Sequence, residues 1–561
     1  MTGKRRIVLS SVSLMMAIAG SFAGACGGGS GDATSAGPRG GFGGSKGGVA
    51  NGGAAGRFAA GGATGQDNRP PEQEVESSFE VPVATGRFVW VANPTSGRVA
   101  YIDAATLAVK TAEAGNAPTV LAVIPGVADE VIVLNVLSHD ATVMQATAAG
   151  QLTRTMVVGV APLANAWAIS PDGHFALAWT NTRIALADPA RQKSLEGFQD
   201  LTAIDLSARP PTATTLAVGY RPVSIAFAAD GTEAYVVTGD GISVLGLPAA
   251  GGSVHIVRDI ALTDDPTDAA DTRDVSVTLA GRAVVRREGS PAVGIVDLQT
   301  GVIGTVTLSG PVTDVDVTPD GTRAIAVVRD RSEIAILPLA SAVANPDTIL
   351  REIIEGEVIG SAVLTADAAQ AVLFSNATEA ERLTVVDLVT GSYRIVRVHA
   401  PVLAVVPTPD GKYAVVLHRA AAATPGAGGA GGATTVTVSW PSNAFSVIPL
   451  DGSRSGRIQE TTAPPNAVAL APGSDRALVT VRNDKGAVFG AYVVGIPALD
   501  VMPIVLGSPP IATGVAQAAN RGYVAQSHSE GRITFIPFEG GPPKTITGFD
   551  LGARVVDGVS P

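Results

Sequence analysis

The stretch AVGIVDLQTGVIGTVTLSGPVTDVDVTPDGTRAIAVV, residues 292–328, decides the fold. It reads as four short strands. The first ends in Asp297-Leu298 and stops at the turn Gln299-Thr300-Gly301. The second runs from Gly304 to Leu308. In the third, Val315 and Val317 alternate with Asp314, Asp316 and Thr318 as far as Pro319-Asp320-Gly321, and the fourth covers Arg323 to Val328. Alternation with a period of two belongs to a strand; in Pro-Asp-Gly, proline fixes φ and glycine takes φ > 0, so the chain reverses tightly.

Working outward, the same unit recurs along the mature chain. Complete turns stand at Pro171-Asp172-Gly173, Pro319-Asp320-Gly321 and Pro409-Asp410-Gly411, and Ala229-Asp230-Gly231 lacks only the proline. Degenerate forms are Thr85-Gly86, Pro125-Gly126-Val127, Leu279-Ala280-Gly281, Ala366-Asp367-Ala368, Pro472-Gly473-Ser474 and Ala518-Ala519-Asn520, which brings the count to ten units. Spacings run from 40 residues (281 to 321) to 63 (411 to 474), and the longest holds a Gly/Ala insert, residues 420–433, read as a disordered loop. Four-stranded units of this length predict an all-β chain folded as a β-propeller of four-stranded antiparallel blades. One ring of about ten blades is expected; a ring of seven or eight, or two propellers, are the alternatives. The first unit starts at Thr85-Gly86, and residues 66–80 are too polar to supply a strand before it. The last unit is complete, yet the chain continues as ARVVDGVSP (553–561), which is similar to Thr313 to Pro319. That tail is expected to supply the missing innermost strand and so close the ring, removing an open sheet edge.

The strands after the turns include FVWVAN (88–93), AYVVTG (234–239) and YAVVLH (413–418). A second set ends in Asp before a Thr-containing turn: YIDAATLA (101–108), IVDLQTGV (295–302) and VVDLVTGS (385–392). The pattern resembles the YVTN-type propeller repeats, with Trp90-Val91-Ala92-Asn93 and Tyr101-Ile102-Asp103 the best matches. The resemblance implies the propeller fold over residues 85–561 and is nearly silent on function.

The chain begins differently. Lys4, Arg5 and Arg6 precede an apolar run, Ile7 to Ala19, and Ala23-Gly24-Ala25 stand just before Cys26, the sole cysteine. The run is short for a bilayer span. It resembles a bacterial lipoprotein signal, which implies cleavage after residue 25, lipidation of Cys26 and, with Gly27 following, an address at the outer membrane where the cell has one. Residues 1–25 are thus expected to be a signal peptide, 26–77 a lipidated Gly-rich tether, and 78–561 the propeller domain. A Gly-rich chain of about 50 residues spans roughly 40 Å, which would hold a folded body off the membrane in the periplasm or at the cell surface. The lone cysteine excludes an intrachain disulfide.

The chemistry-bearing residues are sparse. A formal net charge of −11 argues against a nucleic-acid partner, which would need a basic face. In an up-and-down blade with strands A to D, the A–B and C–D turns share one face of the ring, and the B–C and D–A connections share the other. On that second face, aligning the ends of the B strands places Arg286, Arg329, Ser375, His418 and Arg482 at one repeat position. Such an arc would offer arginine forks to carboxylate or phosphate groups of an anionic ligand, although Glu288, Asp330 and Asp484 stand close enough to neutralise it. The acidic loop Asp264, Asp265, Asp268, Asp271 and Asp274 offers oxygen ligands without a spacing that fits a known calcium loop. The six histidines show no i, i+4 pair, and no Cys-X-X-Cys is possible, so no metal or cofactor is expected. The reading that follows is a cell-envelope lipoprotein, anchored to the membrane by its N-terminal lipid, whose propeller binds or scaffolds a protein or an anionic glycan. The alternative is a propeller enzyme, lactonase-like or oxidoreductase-like, with its site on the B–C/D–A face.

Overall fold

Arg323–Val328 (RAIAVV) and Glu333–Pro338 (EIAILP) carry apolar side chains on both faces, and both strands are buried almost throughout. A strand buried on both faces must lie inside a stack of sheets. Their neighbours differ in a regular way. The inner strand Asp314–Val317 is half-buried along most of its length, and outer strands such as Tyr393–Arg397 alternate exposed with half-buried residues. Burial therefore falls on the middle two strands of each unit, as in radially arranged blades.

The computed structural model describes residues 82–548 apart from 95, 183–197, 249–251, 264–272, 420–442 and 529–530. It contains ten four-stranded antiparallel sheets, each with its strands in chain order. Blades 1 to 10 span residues 83–113, 118–159, 166–217, 224–261, 273–307, 314–353, 361–397, 402–460, 465–505 and 510–547. Every one of the ten turns located in the sequence joins the A and B strands of its blade.

The cores lie between blades. Ten buried apolar clusters fall one at each junction of neighbours. A row of ten blades has nine junctions; the tenth cluster joins Val89, Ala100 and Ile102 of blade 1 to Ala512, Tyr523 and Phe535 of blade 10, and it closes the ring. Backbone and side-chain bonds cross the same junction. The Ala518 N–H donates to Gly86 O (3.2 Å). Arg521 Nη1 donates to Ala104 O (2.8 Å), and Tyr523 Oη to Pro82 O (2.8 Å).

One expectation is corrected here. The innermost position of blade 1 is filled by Val83–Ala84, paired with Trp90 and Val89. Blade 1 thus has an A strand from its own N-terminal side. Two residues are too few to show a period, which is why the pattern of the sequence does not reveal it. The C-terminal tail, 553–561, lies outside the described residues, as do Cys26, the tether and the Gly/Ala insert.

The A–B turns rest on a motif one residue longer than Pro-Asp-Gly. Thr318 Oγ1 donates to Asp320 Oδ1 (2.5 Å) and accepts from Arg323 N (3.0 Å), while Asp320 Oδ1 also accepts from Thr322 N (3.0 Å). Ser170, Thr365 and Thr408 make the same bonds to Asp172, Asp367 and Asp410. Gly321 sits at φ +70, the left-handed region that glycine enters without a Cβ penalty.

Candidate functional site

Burying a charge costs several kcal/mol unless a partner compensates it, so buried charges cluster where the fold has a reason to hold them. Among the described residues eight Asp, Glu or Arg side chains are buried, and six of them are Arg273, Arg286, Asp314, Arg329, Glu333 and Glu357. All six belong to one sector and one face. Arg273 and Asp314 begin the inner strands of blades 5 and 6; Arg286 lies near the end of its B strand. Arg329 follows a B strand, Glu333 begins a C strand, and Glu357 stands in the connection between blades 6 and 7. These are the B–C and D–A ends. The other two, Asp103 and Glu130, belong to the opposite face.

The groups are knitted across blades. Arg286 pairs with Asp274 of the adjoining inner strand and donates to Val312 O (3.2 Å), the connection leading into blade 6. Asp314 accepts from Ala362 N of blade 7 (2.9 Å). Burial pushes its carboxyl up to about 6, against the pull of that N–H and of the Arg286 charge. Arg273 Nη2 donates to Gly239 O of blade 4 (2.6 Å). Glu333 accepts from Ser309 Oγ (2.6 Å), with Arg351 Nη1 3.8 Å away. Glu357 faces Arg382 Nε at 3.0 Å, and burial raises its pKa in spite of Arg382 and Arg397. The sector is a mixed-charge cluster fixed by bonds across blades 4 to 7 on the B–C/D–A face.

The predicted arc resolves differently. In each blade an N–H near the end of the inner strand bonds to the carbonyl of the first B residue: Thr278 to Arg282, Thr318 to Arg323, Thr365 to Gln370, Thr408 to Tyr413 and Ala471 to Arg476. Counted from those carbonyls, Arg286 is fifth, Ser375 and His418 are sixth, and Arg329 and Arg482 are seventh. The five residues therefore do not share one repeat position. The turn of blade 5 is one residue shorter than that of blade 6, so aligning strand ends slips the register. Because side chains alternate along a strand, Arg286 and Arg482 point to one side of their blades and His418 to the other, while Arg329 and Ser375 stand just past the ends of their strands. Arg286 and Arg329 join the buried sector. Arg482 lies farther round the ring, half-exposed, bonded to Asp484 Oδ1 (2.8 Å) and to Pro510 O (3.3 Å).

His418 is buried inside blade 8, with Nε2 2.7 Å from Ser446 Oγ. Burial pushes its pKa down to about 4, so the imidazole is neutral at pH 7. A histidine on a serine invites a nucleophilic reading, but the repeat explains the pair. Asn135 donates to Thr142 Oγ1 (2.9 Å) and Gln526 to Thr534 Oγ1 (2.7 Å) at the same two positions, sixth in B and third in C. His418 and Ser446 are blade 8's version of this structural bond. Of the acidic loop, Asp274 is described and serves Arg286; Asp264, Asp265, Asp268 and Asp271 lie outside the described residues. No group of three or more His, Cys, Asp or Glu that could hold a metal occurs among the described residues.

Arg273, Glu333 and Glu357 are absent from the sequence reading. A signal for the sector exists: the first residues of the other eight inner strands are Val83, Pro118, Ala166, Ser224, Ser361, Val402, Pro465 and Pro510, and only blades 5 and 6 start on a charge.

No protein-family model matches the sequence, and no curated protein matches it. Among solved structures, a dihydro-heme d1 dehydrogenase NirN in complex with DHE shares 14% identity over 68% of this chain and 75% of that one, with a TM-score of 0.40. A eukaryotic initiation factor shares 10% over 72% and 92%, at 0.47. Kuenenia stuttgartiensis hydrazine synthase shares 15% over 73% and 92%, at 0.30. Likeness at this level carries no argument about activity, and the fold rests on the strand pairing.

Proposed function

We propose that this chain is an exported lipoprotein of the cell envelope, held to the membrane through Cys26, whose ten-bladed ring is a binding scaffold. Its ligand surface is the B–C/D–A face, and its ligand class is a protein or an anionic glycan. The observation that carries the binding reading is the confinement of six of the eight buried charges to that face of blades 5 to 7. A scaffold needs no buried arginines for its own stability, since well-packed apolar groups serve as well or better. A rigid patch of preset charge instead favours recognition, where orientation and partner choice come from complementary charge. Exposed Arg331 extends the patch toward solvent, and Arg482 offers a separate half-exposed arginine farther round the same face.

The anchored part rests on Lys4 to Arg6, the apolar run and Ala23-Gly24-Ala25 before Cys26. Two or more acyl chains anchor stably where one does not. Cys26→Ser should transfer the protein from the membrane fraction to the soluble fraction of fractionated cells. An unchanged distribution would end the lipoprotein reading while leaving the scaffold reading to its own test, in which acidic oligosaccharides are screened by thermal shift against the wild type and Arg329→Ala/Arg482→Ala.

A further inference from the structure

The ten outer strands are ten copies of one element in one chain, so they control for one another. Outer strands are open sheet edges, and proteins protect such edges with charge, proline or polar side chains. Blade 3 presents Thr212, Thr214 and Thr215; blade 8 presents Arg457 and Glu460; blade 10 presents Lys544; blade 9 carries Pro503. Blades 5 to 7 carry such residues too, among them Thr305, Arg351 and Arg397, but add exposed apolar ones beside them. Of thirteen exposed large apolar side chains among the described residues, six are Ile303, Val343, Leu350, Ile353, Tyr393 and Ile395. Five lie on three consecutive outer strands, and Val343 lies on the C–D connection of blade 6. The rest of the thirteen include isolated positions such as Val157 and Val505, of the kind any surface carries.

The six form one continuous rim. Blade 6 has a long C–D connection that lays Val343 over Gly304 of blade 5, where an added Cβ would meet Val343 Cγ1 at 2.4 Å. Arg351 Nη2 of blade 6 donates to Thr307 O of blade 5 (3.2 Å), and Tyr393 Oη of blade 7 donates to Ile353 O of blade 6 (3.4 Å). With Val302 and Val389 at its border, the rim gathers eight of the thirteen exposed large apolar side chains, a contiguous apolar patch of the kind that marks an interaction surface.

We propose that this rim is the contact between two copies of the chain, related by a two-fold axis. Charge selects the occupant. The rim carries Arg351, Arg394 and Arg397 together with Asp347, Glu352 and Glu355. Equal numbers of both signs on one patch suit a surface that meets itself, since a two-fold contact sets the same patch on both sides. The same balance disfavours an anionic bilayer, which needs a cationic excess. The contact uses the outer edge of the ring and leaves the B–C/D–A face of both copies open.

The test is the mass of the full chain carrying Cys26→Ser, purified in mild detergent and measured by sedimentation at concentrations on the order of 10 µM, where a micromolar contact is filled. Twice the chain mass is expected. Ile353→Glu/Ile395→Glu should halve it, and Val389→Glu at the border should weaken association several-fold. Val505→Glu on blade 9 should leave the dimer intact. Thermal melts of the variants should match the parent, since each side chain is exposed. A parent of single-chain mass, a double variant that remains dimeric, or a monomer that sediments instead with phosphatidylglycerol vesicles would overturn the proposal.

Discussion

His418 on blade 8 and Asp314 on blade 6 are two blades apart, and their ionisation pulls stability in opposite directions. His418 is buried neutral, with its pKa down at about 4. An unfolded histidine titrates near 6.5, so between about 6.5 and 4 the unfolded chain binds the extra proton and stability falls as pH falls. Asp314 is buried with its pKa up at about 6, against about 3.9 unfolded. In that window the folded chain holds the extra proton, so stability falls as pH rises from about 4 to 6, and the penalty persists above. His418→Gln keeps a donor for Ser446, as Gln526 does for Thr534 in blade 10. It should flatten the acid side of the stability profile by up to about 3 kcal/mol, at ~1.4 kcal/mol per pKa unit. Asp314→Asn keeps an acceptor for the Ala362 N–H and should shift the profile the other way, gaining at pH 7 relative to pH 4.5. Chemical denaturation of both variants across that range checks the signs. Parallel shifts, or profiles that track the parent, would contradict the buried-charge account. Neither behaviour is legible in the sequence, where His418 reads as a potential cation and Asp314 as one residue of an alternating strand. What changes both is desolvation, which depends on neighbours from other blades.

At the scale of the element, the turn is the best-read part of the molecule, and it also shows where reading stops. Pro, Asp and Gly announce a reversal through local backbone preference alone, so all ten turns are found. Register is not local. The Leu279-Ala280-Gly281 turn is one residue short and the B strands end at different lengths, so Arg286 falls two positions before Arg329 and one before His418, and a one-residue slip sends a side chain to the opposite face of its blade. Nor does the sequence say what a turn glycine touches. Gly173 and Gly356 both have positive φ, +72 and +74. At Gly173 a Cβ would lie 2.1 Å from Pro125 O in the neighbouring blade's turn, whereas at Gly356 nothing stands within 4 Å. Both alanine variants pay the left-handed backbone cost of about 1–2 kcal/mol. Gly173→Ala must in addition push two backbone turns apart, so it should lose several kcal/mol in urea unfolding where Gly356→Ala loses about one. Equal losses would mean that the turns of blades 2 and 3 are not held against each other. The outer strands show a related device that sequence pattern does not expose: Lys110, Arg258, Arg394 and Arg457 each donate to a carbonyl in the C–D turn of the following blade.

For the whole molecule the decisive contact is the tenth junction. A linear stack of repeats behaves as a one-dimensional array, in which damage at a terminal interface frays the end unit and leaves the rest intact. A ring has no terminal interface. Phe535 is 1% exposed in the cluster between blades 10 and 1, and Phe445 is fully buried in the cluster between blades 8 and 9. In an open stack the first would be an end contact and the second an internal one. In the closed ring they are equivalent. Truncating a buried phenylalanine to alanine costs about 3–5 kcal/mol through lost transfer energy and the cavity left behind. Phe535→Ala and Phe445→Ala should therefore lower the melting temperature by similar amounts, each with one cooperative transition. The short inner strand Val83–Ala84 reinforces the expectation, because it brings Pro82 O to Tyr523 Oη and so ties the two ends of the propeller across the junction. If calorimetry of Phe535→Ala instead showed a small early transition followed by a main transition at the parental temperature, blade 10 would be melting alone, and the ring would be open at that junction.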